Sequence, residues 1–265
     1  MLLLVAVTRG AGLFTKNIAD RYSERTSTVR DACPARVPEA RVQPGQGPVS
    51  GGGNPHPPTE IGNLFPQILN GLETSKLTMK EWQEYLLGAL LDGYIDLRRK
   101  EIQIYQKERK WLEFVNQLVK ENFGITGSIT HKKNVFCWRK KSKRLLELIT
   151  SLSLSDVQDG RYFVAAVFDT EGSIYRSSKS RIPVIDITQS EKGLPILRKV
   201  QSVLKRRKIK SNINGPYRNP NSKLPQYHLR IYGRKNCIKF FDTFPIQHPS
   251  KKRKFIELVS ADPIL

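Results

Sequence analysis

The sequence predicts an α+β fold of two like halves about a pseudo-twofold axis, each running helix–strand–strand–helix–strand–strand–helix. Three observations predict it. The stretch Tyr162-Phe-Val-Ala-Ala-Val-Phe-Asp-Thr-Glu-Gly-Ser-Ile174 reads as an apolar helix with two adjacent small residues, ending in Glu171 and Gly172. Its echo, Tyr85-Leu-Leu-Gly-Ala-Leu-Leu-Asp-Gly-Tyr-Ile95, carries Gly88 and Ala89 and ends in Asp92 and Gly93, with Glu171 following Asp92 by 79 positions (171 − 92). After each, apolar periodicity switches from 3.6 to 2, and the same order of elements recurs.

Residues 1–60 stand apart as a leader or linker. From Cys33 to Pro58 they are rich in Pro and Gly, a composition that buries too little surface to offset ordering entropy. The first half is expected over 61–154. Thr78 and Glu81 have capping-box spacing before the apolar run. Beyond Gly93, Ile95, Leu97, Ile102 and Ile104 alternate with polar residues, which predicts a hairpin with one apolar face. A helix carries Trp111, Leu112, Val115, Leu118 and Val119 at helical spacing. Strands follow near 126–131 and 134–139, then a helix near 142–152. The second half, 155–265, repeats this. Ser155 to Gln158 offers another capping box, with strands near 173–178 and 182–188, a helix near 192–207, strands near 210–215 and 226–232, and two helices around His248-Pro249.

The formal net charge is +21. Residues 1–75 hold only seven of the 45 Lys/Arg and six of the 24 Asp/Glu, so the surplus lies in the folded remainder. Such a surface repels itself unless a polyanion shares the load, and nucleic acid is the expected partner. No apolar run approaches the roughly 18 residues of a membrane span, so membrane is the weaker reading. Met1-Leu-Leu-Leu-Val-Ala-Val7 lacks the basic region of a secretion signal. Cys33, Cys137 and Cys237 have no metal or disulfide spacing, consistent with a reducing, intracellular compartment.

A carboxylate in the last turn of a helix meets the negative end of the helix dipole, so it serves stability poorly. Its charge is better answered by a metal ion, and Gly172 is expected to stop the helix in the left-handed conformation. Both segments resemble the LAGLIDADG motif of homing endonucleases, the second residue for residue (Val164-Ala-Ala-Val-Phe-Asp-Thr-Glu-Gly172). The first, aligned on its Asp-Gly end, sets Leu86 and Leu87 where small residues belong, which keeps Asp96 open as an alternative acid; Asp169 reads as a structural polar residue. The resemblance covers most of residues 76–265 and implies a single-chain, two-motif protein of the archaeal intron-encoded type. Its antiparallel sheets would form a DNA-binding saddle, with the motif helices packed together at the interface between halves.

The same resemblance implies site residues. Asp92 and Glu171 would hold Mg²⁺, or another divalent cation such as Mn²⁺, against DNA phosphates. Carboxylate oxygens and water suit such ions, and a bound ion activates water and neutralises developing charge. Gln106 and Gln189, at the ends of the second strands, would orient water. Lys140, with Lys141 its competitor, would stabilise charge; the second half offers Arg234 and Lys235 after Gly233. DNA contacts are expected from the polar sheet faces at Arg98, Gln103, Tyr105, Lys132, Lys133, Arg176, Arg181, Asp186, Thr188, Arg218, His228 and Arg230. The runs Lys205-Arg-Arg-Lys208 and Lys251-Lys-Arg-Lys254 read as solvated helix ends or non-specific electrostatic help.

The expected activity is site-specific endonuclease cleavage of both strands of a long, near-palindromic duplex, leaving staggered ends and promoting intron mobility. The expected state is a monomer, without a membrane partner. An RNA maturase binding intron RNA, or a non-catalytic DNA-binding regulator on the same scaffold, are the alternatives.

Overall fold

The computed structural model describes residues 74–91, 93–178, 180, 182–218 and 224–260. The leader and Arg181, together with Asp92, lie outside the described residues. The first half comprises α1 (Met79–Leu90), β1 (Tyr94–Asp96), β2 (Glu101–Gln106), α2 (Arg109–Phe123), β3 (Ser128–Lys132), β4 (Val135–Lys141) and α3 (Lys143–Ser151). The second comprises α4 (Arg161–Glu171), β5 (Gly172–Arg176), β6 (Pro183–Ser190), α5 (Leu194–Arg206), β7 (Asn212–Tyr217), β8 (Gln226–Tyr232), α6 (Arg234–Thr243) and α7 (Pro249–Ser260). Each half forms one antiparallel four-stranded sheet, ordered β1-β2-β4-β3 and β5-β6-β8-β7. The identical order is the duplication expressed in topology.

The motif helices α1 and α4 pack along each other. Near their starts, Lys80 Nζ donates to Gln158 Oε1 at 3.1 Å, and the Glu84 carboxylate accepts the Gln158 and Gly160 N–H groups at 2.8 and 2.9 Å. Further along, Gly88 meets α4 so closely that an added Cβ would lie 2.7 Å from the Phe163 carbonyl and 2.8 Å from Ala166 Cβ. Residues 80, 84 and 88 thus advance alongside 158, 160 and 166. The helices run parallel, and their C-terminal ends emerge on the same side. One apolar core, from Trp82 and Leu90 through Trp111 and Trp138 to Phe168, Phe240 and Phe255, continues through both halves.

Local chemistry explains most element boundaries. Thr78 and Glu81 form the expected capping box at α1, the Thr78 N–H donating to Glu81 Oε2 at 2.9 Å. The second box lies two residues earlier than expected: Ser153 and Asp156 close it on a single 3-10 turn. Helix α4 starts later, after Gly160, whose φ of 79° is left-handed and whose place for a Cβ is taken by Val203 Cγ2 at 2.5 Å. The expected left-handed stop at Gly172 does not form. Gly172 is extended (φ −79°, ψ 153°) and opens β5 directly, and its glycine is required because a Cβ would sit 2.1 Å from the Phe168 ring. Leu97 does not join the apolar face of the first hairpin; it is 52% exposed in the turn after β1.

The segment between the halves is clamped. Lys199 Nζ donates to the Val157 carbonyl at 2.8 Å, Arg206 donates to the Gln158 and Asp159 carbonyls at 2.9 and 3.2 Å, and Arg207 pairs with Asp159. Arg206 and Arg207 are therefore committed to this joint, not free helix-end charges. Among the described residues no helix is long and apolar enough to cross a membrane.

Candidate nucleic-acid interface and acid site

Glu171 is the last residue of α4, half-buried, and passes straight into β5. The dipole conflict at this helix end is eased from α7: Lys251 Nζ donates to the Phe168 and Asp169 carbonyls at 2.5 and 2.7 Å. Asp169 is fully buried and accepts Tyr85 Oη–H at 2.7 Å and the Gln247 and His248 N–H groups at 2.9 and 3.1 Å. Trp111 Nε1–H in turn donates to Tyr85 Oη at 2.9 Å, so one buried chain of bonds ties the first half to the loop before α7. Burial raises the Asp169 carboxyl, while Lys251, Tyr85 and the two N–H groups act against it. Asp96, the alternative acid, is taken by its own turn: it accepts the Arg99 N–H at 3.0 Å and faces the Arg99 guanidinium at 3.7 Å.

Strand parity sorts the polar residues expected around the acids. Tyr94, two residues beyond Asp92, pairs with Gln103, which pairs with Arg139; Ser173, two beyond Glu171, pairs with Asp186, which pairs with Arg230. These residues share the face of each sheet that the helices leave open. Gln106 and Gln189 fall on the opposite parity, in line with the buried Ile104 and Ile187. Gln106 Oε1 accepts the Lys107 N–H at 3.1 Å, and Gln189 is 3% exposed with its Nε2 unpartnered. Both therefore lie on the helix side of their sheets, as the two-residue period of a strand dictates. Lys140 likewise pairs with the buried Ile102 on the helix side, whereas Lys141 pairs with Glu101 on the open face.

The open face of the first sheet carries Gln103, Tyr105, Thr130, Lys132, Arg139 and Lys141. Tyr105 Oη–H donates to Gln103 Oε1 at 2.6 Å, Gln103 Nε2 donates to Glu101 at 2.8 Å, and Lys132 Nζ lies 5.6 Å from the Tyr105 ring centroid. Arg98 and Lys133 occupy the exposed hairpin turns, and Arg218 is exposed just past β7. On the second sheet Thr188, His228 and Arg230 share the open face. Two expected DNA contacts are corrected. Arg176 has the parity of Ile174 and donates to the Leu258 carbonyl at 2.8 Å, capping α7. Asp186 is 4% exposed and engaged by its neighbours, so it has no surface to offer a base.

Sequence reasoning missed Glu84, a buried acid on an otherwise apolar helix that caps the partner helix across the interface, and Lys251, read as part of a charge run. Only a contact between distant segments reveals either. Gln103 and Arg139 as neighbours of the acid end were within reach, because counting parity from Gly93 places them there.

The LAGLIDADG-like domain model matches the chain twice, over residues 84–154 and 160–245, more than half its length. The chain belongs to the LAGLIDADG family. Among solved structures, mesophilic variants of the homing endonuclease I-DmoI are 19% identical with a TM-score of 0.45, spanning 62% of this chain and 90% of theirs. An I-DmoI variant in complex with its target DNA and manganese is 18% identical with a TM-score of 0.46, spanning 65% and 96%. Full-length DUF199/WhiA from Thermatoga maritima is 16% identical with a TM-score of 0.52, spanning 77% of this chain and 66% of its own. At 16% identity the likeness to DUF199/WhiA is one of fold alone. No curated protein matches the chain in a sequence search.

Proposed function

We propose that the chain is a site-specific, divalent-metal-dependent endonuclease acting on double-stranded DNA. The observation that carries this reading is the parallel pair α1 and α4, which leaves Glu171 half-buried at the end from which both open sheet faces begin. A carboxylate there, together with Asp92, the acid at the matching place in the sequence, would offer the hard oxygen donors that Mg²⁺ or Mn²⁺ prefers, phosphate and water supplying the rest. Held there by Glu171 and Asp92, such an ion would supply activation of a water nucleophile and offset charge on the leaving oxygen. The residues of the chain do the rest. Arg139, Lys132 and the turn cations Arg98 and Lys133 hold the duplex by its phosphates, while Gln103, Arg230 and His228 face the bases. The intron-encoded origin and the staggered ends stay with this proposal.

A DNA-binding regulator without cleavage is the second reading, favoured by one observation: Gln106, Gln189 and Lys140 lie on the helix side of their strands and not among the polar residues of the open face. The test begins with a duplex recovered by the purified chain from a randomised pool. Incubated with Mg²⁺, the chain is expected to cut both strands; EDTA or Glu171→Gln should abolish cutting and leave binding within about twofold, since a carboxylate among phosphates adds no affinity. Tight binding without cutting in any divalent metal would establish the regulator instead.

A further inference from the structure

The open face of the second sheet holds an acid where a DNA-facing surface gains nothing from one. Asp186 is 4% exposed, so it cannot reach a base, and its charge would oppose phosphate unless neighbouring donors offset it. They do. Its Oδ2 accepts Arg230 Nε–H at 3.0 Å and Tyr175 Oη–H at 3.0 Å. Its oxygens lie 3.0 and 3.1 Å from His228 Nδ1, with Thr188 Oγ1 at 3.1 Å from the same ring nitrogen.

These bonds fix two side chains. Nε of the Arg230 guanidinium is given to Asp186, and the Tyr232 hydroxyl bonds the same guanidinium; of its five N–H donors, three remain to present a fork, and the side chain keeps 27% of its surface exposed. A two-pronged donor matches the O6 and N7 acceptors of guanine in the major groove. A carboxylate only accepts, so His228 Nδ1 carries the hydrogen, and Nε2 is the ring atom without a partner among the described residues. His228 and Arg230 stand two residues apart on one strand and share a face, so adjacent parts of one half-site would meet both.

The first sheet lacks this arrangement. The place of Asp186 is taken by Gln103, whose amide bonds Glu101 and Tyr105 and not an arginine. The place of Arg230 is taken by Arg139, which is 52% exposed and no closer than 3.9 Å to the carboxylate of Glu101.

We propose that Asp186 is a positioning residue that presets Arg230, with His228 beside it, to read a guanine in one half of the DNA target, while the corresponding position of the other half is read loosely. This rests on the DNA-binding reading above. The test is selection from a randomised duplex pool with the full chain, repeated with Asp186→Asn and Arg230→Lys. The unaltered chain is expected to enrich sites with a fixed guanine in one half and no equally strict base at its mirror position. Asp186→Asn should cut discrimination at that guanine by about tenfold, within the worth of a bidentate contact. Its affinity for random duplex and the salt dependence of that affinity should hold, which a merely structural loss would not allow. Arg230→Lys keeps the charge without the fork, should show the same loss, and carries the test if Asp186→Asn does not fold. Unchanged sequence preference in both variants, or equal strictness in both halves, overturns this proposal alone. Failure of the unaltered chain to enrich any sequence overturns it together with the DNA-binding reading.

Discussion

His248 is a buried histidine whose Nδ1 has no partner, in the loop that Asp169 holds. Burial, reinforced by Lys251, pushes its pKa from 6.5 down to about 3. The unfolded chain therefore binds this proton at higher pH than the folded one, and the stability it carries falls as pH drops below 6.5 and stops falling near 3. Asp169 and Glu84, raised chiefly by burial, act with the opposite sign on acidification. Comparing His248→Gln with the unaltered chain by denaturant unfolding isolates the histidine: the variant should lose less stability, by up to about 1.4 kcal/mol per pH unit in that window. Equal slopes would show that the ring is not held neutral. Glu84→Leu should cost about 1–3 kcal/mol, because the Gln158 and Gly160 N–H groups lose their acceptor; a melting temperature unchanged from the parent would contradict the cap. Residues were the least legible scale in the sequence. The acid–glycine pairs are legible, whereas the face of the sheet on which Gln106 and Gln189 lie is not. A one-residue error in strand parity inverts the face, and only the pairing of Tyr94 with Gln103 and of Ser173 with Asp186 removes it.

Elements were far more legible, because their signals are local. Apolar periodicity found the strands and helices to within a few residues, and Thr78 with Glu81 marked the start of α1. The misses have tertiary causes. Gly172 is dictated by the Phe168 ring, not by a helix stop, and the residue that caps the start of α4 is Gly160 because Val203 of α5 leaves room for no side chain there. The contact of α1 with α4 yields an element-scale prediction. Gly88→Val would drive methyl groups into the Phe163 carbonyl and Ala166, separating the helices. It should destabilise the fold by about 1–3 kcal/mol and lower cleavage more than binding, since the acid ends move apart while each sheet keeps its face. Loss of binding in proportion to cleavage would mean that the sheets, not the helix ends, depend on this contact.

For the whole molecule, duplication set what could be read: two halves, two sheets in one strand order, and a net charge of +21 concentrated beyond residue 75. The sequence did not reveal that the halves are joined by one continuous core and by a clamped connecting segment. Residues 61–154 expressed alone should therefore remain unfolded, lacking the dispersed proton spectrum of the intact chain; a folded half would refute the shared core. The basic surface makes a second claim at this scale. If about six or more phosphates are neutralised, affinity for duplex DNA should drop by about 10³-fold or more between 50 and 200 mM salt. Salt-independent binding in a filter or fluorescence titration would leave the charge without its proposed partner. The central proposal is that Asp92 and Glu171 together hold one metal ion. Mn²⁺ uptake by the chain on its selected duplex, followed by electron paramagnetic resonance, tests this most directly. Asp92→Asn and Glu171→Gln should each weaken uptake at the same site, whereas uptake indifferent to Glu171→Gln would contradict a shared site.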